Sequence, residues 1–434
     1  MNTILSSPTQ GLSGKFRVPG DKSISHRAVM LGSLAEGVTE VTGFLEAEDA
    51  LATLACFQAM GVKIDRLSEG RLRIYGVGLH GLKAPENVLY VGNSGTSMRL
   101  LSGILAGQSF DSVLTGDNSL TKRPMRRVID PLTLMGAVVN SSDKGTSPLE
   151  IKGGQSLEGI QYQMPMGSAQ VKSCVLLAGM YAEGETRTTE PAPTRDHSER
   201  MLKGFGYPVA VSGATATLSG GHRLKAVHID VPADISSAAF FMVAASIAPG
   251  ADLTLQHVGI NPTRVGIINI LREMGGDITL SNEREVGGEP VADIRVRYAP
   301  LKGIDIPEEQ VPLAIDEFPV LFVAAACAEG RTVLRGAEEL RVKESDRIQV
   351  MADGLVSLGV NAQATPDGII IDGGPIGGGR VNSHHDHRIA MSFSVAALRA
   401  SDTIHIEDCD NVATSFPNFV ELATQVGMRI EVCK

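Results

Sequence analysis

The chain repeats one pattern about six times, and that repetition limits the folds open to it more than any other feature. The clearest copy runs from Gly20 to Phe44. A polar turn, Gly20-Asp21-Lys22-Ser23, leads into an apolar helix-like run from Ala28 to Leu34; Gly37 stops it, and the β-branched segment Val38 to Val41 follows. Later copies start at Gly92, Gly167, Ala233, Ile315 and His385. The residues that close the apolar runs are Gly37, Gly107, Gly184, Gly250, Gly330 and Ala400, separated by 70, 77, 66, 80 and 70 residues. Self-similarity at a long, nearly fixed period dictates the architecture. Each unit is longer than a solenoid repeat and has room for one small βαβ-type subdomain, so a few packed copies per domain fit better than a stacked array.

A second periodic segment recurs inside every unit: Glu48 to Met60, Val128 to Met135, Ser198 to Gly204, Ile268 to Met274, Arg347 to Leu358 and Asn418 to Val426. Apolar spacing in the first of these (Ala50, Leu51, Leu54, Phe57, Met60) is helical. A Gly and an extended segment come next each time, as in Gly61-Val62-Lys63-Ile64. The outline of a unit is therefore β-α-β-α-β-β. Residues before Pro19, clearest at Lys15 to Val18, read as the lead-in strand of the first unit. A length of 434 residues exceeds what one core holds. The expectation is two domains of three repeats, 20–232 and 1–19 plus 233–434, joined by hinge strands near 15–20 and 228–234. Ligand-driven closure would follow from such a hinge. The run Gly373 to Gly379 does not lead from a strand into a helix, so it reads as a turn and not as a dinucleotide loop.

Aromatic residues make up only 4% and Trp is absent, so the cores must be aliphatic and Ala-rich. A net charge of −10 argues against a nucleic-acid partner. The five cysteines show neither metal spacing nor a disulfide framework, and Cys174 and Cys327 read as buried small hydrophobes. No apolar run is long enough to span a membrane, and a reducing cytoplasm is the expected location.

Each polar turn stands before an apolar helix, where free N–H groups and the helix dipole favour an anion. Ser, Asp, Asn and Gly there also suit ordinary N-caps. What tilts the reading is a cation at the same place in several units: Lys22 and Arg27, Arg99, Lys172 and Arg388. Arg123, Lys343 and Arg347 add to the set, whereas Arg126, Arg127 and Arg200 read as solvated helix starts. So many donors imply substrates with several carboxylate or phosphate groups. Two acids stand out. Asp316 precedes an apolar helix and is either an N-cap or a base; Glu344 lies between Lys343 and Arg347 and can exchange protons. His384, His385 and His387 have no partner motif with zinc spacing, so no metal is expected.

Gly20 to Arg27, Gly92 to Arg99, Lys122 to Met125, Ser168 to Gln170, Arg341 to Arg347 and His385 to Met391 together resemble the 5-enolpyruvylshikimate-3-phosphate synthase family, over essentially the whole chain. The resemblance implies an α/β (α+β) fold of two three-repeat domains, each an inside-out, barrel-like arrangement with buried parallel helices, and an active site in the cleft between them. It implies transfer of a carboxyvinyl group from phosphoenolpyruvate to the 5-hydroxyl of shikimate 3-phosphate by a monomer, with no cofactor. By motif position, Lys22, Ser23, Arg27, Ser168, Gln170, Arg195, Asp316 and Lys343 would hold shikimate 3-phosphate. Lys22, Gly95, Arg123, Gln170, Arg347 and Arg388 would hold phosphoenolpyruvate. Asp316 would be the base on the 5-hydroxyl, and Glu344, with Lys22, the proton donor to the methylene carbon. Thr414 stands where many members have a Lys, and Ala169 where many have a Ser. Arg195-Asp196-His197 resembles a branch in which some enzymes tolerate glyphosate; those often have Ala at the position of Gly95. With Gly95 this chain is expected to be glyphosate-sensitive.

Overall fold

The computed structural model describes residues 2–433. All six apolar runs form helices: Lys22–Leu34, Gly95–Ala106, Ala169–Gly179, Ile235–Ile247, Phe318–Ala326 and His387–Ala396. These lead helices are buried almost all round; every residue of Ile235–Ile247 and of Phe318–Ala326 is buried. Small residues permit this. A Cβ on Gly103 would lie 2.2 Å from the carbonyl oxygen of Cys174, so Gly95–Ala106 and Ala169–Gly179 touch backbone to side. Cys174 is buried and its thiol is pushed up to about 12 by burial; Cys327 is only part-buried.

The second helices are Glu48–Ala59, Arg126–Leu134, His197–Gly204, Gly266–Glu273, Arg347–Ser357 and Phe419–Gln425. Gly61 follows the first of them at φ +88°, a left-handed conformation that favours glycine at a helix C-terminus. The chain clusters into two compact units. One is Gly20–Val231 with Val286–Gly288; the other takes the remainder.

Five repeats build a small mixed sheet whose first strand runs parallel to the second. The fifth departs from the expected outline: its three strands Arg331–Leu334, Gly368–Asp372 and Asn361–Thr365 are antiparallel throughout, with only isolated parallel bridges at Lys302 and Asp305 in place of a leading strand. In the second repeat the order is Leu89–Tyr90, Ser112–Thr115, Leu149–Lys152, Val138–Asn140. The third repeat follows the same plan with Gln161–Gln163, Glu185–Thr189, Thr215–Ser219 and Ala210–Ser212.

The first strands of repeats one and four depart from the sequence reading. The segment before Pro19 does not lead the first repeat. Its strand Ser13–Phe16 pairs in parallel with Asp252–Gly259 and so leads the fourth. The first repeat takes His228–Asp230 as its leading strand, parallel to Glu36–Thr42. The first segment of the chain, Thr3–Ser7, lies between Ile404–Glu407 and Arg429–Cys433 and completes the sheet of the sixth repeat. Residues 373–378 form a connection between strands. Among the described residues, no helix is long and apolar enough to cross a membrane.

Candidate active site

The polar turns first act as caps. Asp21, Ser94, Ser168, Asp234 and Asp386 each accept a backbone N–H from the first turn of the lead helix that follows. Capping therefore accounts for the small polar residues, and what remains to explain is the cations gathered behind them.

In the unit holding Gly20–Val231, Lys22 Nζ lies 2.5 Å from Asp49 Oδ2. Arg27 is buried. Its Nε donates to Ser198 Oγ (2.7 Å), Nη1 to the Ser23 carbonyl (2.9 Å) and Nη2 to Ser173 Oγ (2.8 Å). Arg123 packs against the Asn93-Ser94-Gly95 turn, donating to Asn93 Oδ1 at 2.6 Å and to the Asn93 carbonyl at 3.3 Å. A Cβ on Gly95 would lie 3.4 Å from Arg123 Nη1 and 3.5 Å from Arg99 Nη1, so two guanidinium groups face that glycine. Arg99 donates to Gln170 Oε1, and Gln170 Nε2 donates to Thr96 Oγ1 at 3.0 Å. The starts of the second and third lead helices are thus tied together. Ser168 caps its own helix, while Ser23 and Arg195 are part-buried. Lys172 departs from the sequence reading as an anion-site cation: its ammonium is enclosed by Glu190 and Glu199.

In the other unit a second cluster forms around Arg347, which is 1% exposed. Its Nε lies 2.8 Å from Asp386 Oδ2, its Nη2 2.7 Å from Glu344 Oε2 and its Nη1 3.4 Å from Asp316 Oδ1. Burial alone would lower the Arg347 pKa. The surrounding Asp386, Glu344 and Asp316 outweigh it and push the value up, so this cation is permanent. Burial would likewise raise Asp386, but Arg347, with help from His387, holds its carboxyl below the usual range. Asp316 is not an N-cap. The helix begins at Phe318, and the Asp316 carboxylate instead faces Lys343 Nζ at 3.5 Å as well as Arg347. Arg388 Nη1 donates to the Asp316 carbonyl at 2.9 Å.

Sequence reasoning passed over three residues here. Glu317, 2% exposed, accepts from Ser236 Oγ and lies 3.8 Å from both Arg264 and Arg388. Arg264 is buried and donates to Asp234 Oδ1 at 3.2 Å. Asp386, fully buried, accepts from both Nε (2.8 Å) and Nη2 (3.3 Å) of Arg347 while also capping its own helix. Of the three histidines, His385 Nδ1 lies 2.7 Å from Asp408 Oδ1, and His384 and His385 both adopt positive φ. Thr414 donates to the Asn411 carbonyl at 2.7 Å.

A family model described as EPSP synthase (3-phosphoshikimate 1-carboxyvinyltransferase) matches residues 7–422. The chain belongs to the EPSP synthase family. It is 68% identical over 425 residues to the 3-phosphoshikimate 1-carboxyvinyltransferase of Methylococcus capsulatus, covering 98% of this chain and 97% of that one. It is 68% identical over 424 residues to the enzyme of the same name from Alkalilimnicola ehrlichii, covering 98% and 95%. A solved structure of EPSP synthase from Acinetobacter baumannii superposes with a TM-score of 0.91 at 60% identity over the whole of both chains. The enolpyruvyl transferase NikO from Streptomyces tendae shares the fold at a TM-score of 0.82 and 16% identity. Membership in the EPSP synthase family covers both repeat units and both cation clusters, since the matched residues run through all six repeats.

Proposed function

We propose that the chain transfers the carboxyvinyl group of phosphoenolpyruvate to the 5-hydroxyl of shikimate 3-phosphate, giving 5-enolpyruvylshikimate 3-phosphate and phosphate. The observation that carries the reading is the pair of acids on one arginine: Asp316 and Glu344 both reach Arg347, with Lys343 also facing Asp316. Addition across the enol double bond needs one proton removed from oxygen and another delivered to carbon, and two separate carboxyl groups supply that.

In this reading Lys22, Ser23, Arg27, Ser168, Gln170, Arg195 and Lys343 hold the phosphorylated acceptor. Gly95, Arg123, Arg347 and Arg388, with Lys22 and Gln170, hold phosphoenolpyruvate. Asp316 takes the proton of the 5-hydroxyl as its oxygen bonds to C2 of phosphoenolpyruvate, and Glu344 gives a proton to C3, which becomes a methyl. The tetrahedral adduct bears the phosphate, whose charge Arg123 and Arg347 offset. Elimination then breaks the C2–O bond to phosphate, the methyl returns its proton to the Glu344 carboxylate, and the proton held by Asp316 passes to the departing phosphate, restoring both groups. Lys22 shares in the delivery of the proton to C3. Hinge strands near 15–20 and 228–234 belong to this proposal; the chain passes between its two units at 19–20 and 231–232. A monomeric, cytoplasmic enzyme belongs to the same reading.

The test is phosphate release from phosphoenolpyruvate with and without shikimate 3-phosphate, in buffer containing a chelator. Release that depends on shikimate 3-phosphate supports the reading. Asp316→Ala and Glu344→Gln should each lower kcat by about 10²-fold or more, the usual scale for a lost acid or base. Release with UDP-N-acetylglucosamine in place of shikimate 3-phosphate would overturn the acceptor assignment.

A further inference from the structure

Lys172 lies on the lead helix Ala169–Gly179 and is 3% exposed. Its Nζ is 2.7 Å from Glu199 Oε1 and 3.1 Å from Glu190 Oε2. Glu199 lies on the second helix of the same repeat, His197–Gly204, and Glu190 stands at the start of the loop that leads into it. The Glu190 carboxylate also accepts from the Thr194 backbone N–H at 3.2 Å and from Thr194 Oγ1 at 2.5 Å. The loop is thus folded back onto one carboxylate, and Lys172 anchors that carboxylate. The next residue after Thr194 is Arg195.

The same two helices are joined again one residue along. Ser173 Oγ and Ser198 Oγ lie 2.7 Å apart, and both accept from Arg27. Neighbours in sequence on one helix, Lys172 and Ser173, therefore meet neighbours on the other, Ser198 and Glu199. The result is one buried polar lattice that touches Arg27, the helix carrying Ser168 and Gln170, and the loop carrying Arg195. A buried ammonium between carboxylates is a poor source of net stability compared with apolar packing, but it fixes geometry where both partners must be satisfied.

We propose that Lys172 is a positioning residue for the phosphorylated acceptor. Through Glu190 and Glu199 it sets the Arg195 loop against the helix that starts at Ser168, and it touches no substrate itself. This rests on the reading given under Proposed function. The effect belongs to the acceptor because Glu190 and Thr194 hold the loop of Arg195, which is assigned to shikimate 3-phosphate alone, whereas the side chain of Gln170, assigned to both substrates, is held by Arg99 and Thr96. Gly95 and Arg123 hang on a different turn, and Arg347 and Arg388 lie in the other unit.

The test is steady-state kinetics with each substrate varied in turn, on folded protein checked by circular dichroism. Lys172→Met should raise the KM for shikimate 3-phosphate about tenfold, with the KM for phosphoenolpyruvate within about twofold and kcat within about threefold. Thr194→Val removes one hydroxyl and no charge; it should raise the same KM by about threefold and leave the other unchanged. If Lys172→Met does not fold, Thr194→Val decides alone. Both KM values rising together, or an unchanged KM for shikimate 3-phosphate in the folded variants, overturns the positioning role while the function stands. A wild-type enzyme that neither binds nor turns over shikimate 3-phosphate removes the function, and this proposal with it.

Discussion

His26 is wholly buried between the lead helix it belongs to and the next. Its Nδ1 lies 2.7 Å from Thr53 Oγ1, and its Nε2 has no hydrogen-bond partner among the described residues. Burial drives its pKa well below the usual 6.5; the cations of Lys22 and Arg27 add to the effect and Asp21 opposes it. The unfolded chain takes up a proton near pH 6.5 and the folded chain does not, so stability is complete above that pH and is lost as pH falls below it. The loss is about 1.4 kcal/mol per pH unit for one proton. Urea unfolding of His26→Gln at a series of pH values from 7 to 5 should therefore show a shallower decline than the wild type by about that slope; equal slopes would mean that another group dominates. Gly95 gives a contrasting residue-scale case. A methyl there would make ordinary contacts with Arg123 and Arg99, so Gly95→Ala should fold normally. It would fill space between two guanidinium groups, and the inhibition constant for glyphosate is expected to rise about tenfold or more, roughly 1.4 kcal/mol. Inhibition at the parent's concentrations would sink that idea. At this scale the sequence was legible where a residue acts within its own turn, as the capping residues Asp21 and Ser94 do. Lys172 was misread because Glu190 and Glu199, which enclose it, reach it only through the fold.

The lead helices were readable as elements because long apolar runs follow polar turns, five of which supply a side-chain cap, and both signals are local. Their packing was not readable, since it depends on which small residue faces which backbone. Gly103 shows the consequence. Its missing side chain lets Gly95–Ala106 approach Ala169–Gly179 until a Cβ would sit 2.2 Å from the Cys174 carbonyl oxygen. That carbonyl belongs to a helix backbone and cannot give way alone, so Gly103→Ala must push the helices apart. Overpacking of this kind costs about 1–3 kcal/mol. The same two helices begin at the Gly95 turn and at Ser168, and Arg99 donates to Gln170 across them. Gly103→Ala should therefore lower the thermal midpoint and weaken binding of both substrates, because Gln170 is assigned to each. A variant with a lowered midpoint and unchanged KM values would show that the helix starts are held independently of the helix bodies.

At the scale of the whole molecule, six repeats and a division near residues 20 and 232 could be read from period and length, but strand partnership could not. A strand of four or five residues carries no mark of the sheet it will join, and the first segment of the chain joins two sheets formed mostly by residues more than two hundred positions away. Ser13–Phe16 leads the fourth repeat, and Thr3–Ser7 sits inside the sheet of the sixth, paired to strands on both sides. Ile4 in that strand is 2% exposed and belongs to the same core as Ile404, Ile406 and Ile430. Removing residues 2–8 would thus leave two strand edges unpaired and a gap in that core, rather than trimming a loose end. Amide exchange should then become fast across Ile404–Glu407 and Arg429–Cys433, while the helices of Gly20–Val231 keep their protection, since that unit takes no strand from the deleted segment. Turnover should be lost with the sixth sheet, because the strand Gly379–Asn382 of that sheet leads to Asp386 and Arg388. Native exchange rates at Ile404–Glu407 in the shortened protein would show instead that the sixth repeat closes without its borrowed strand.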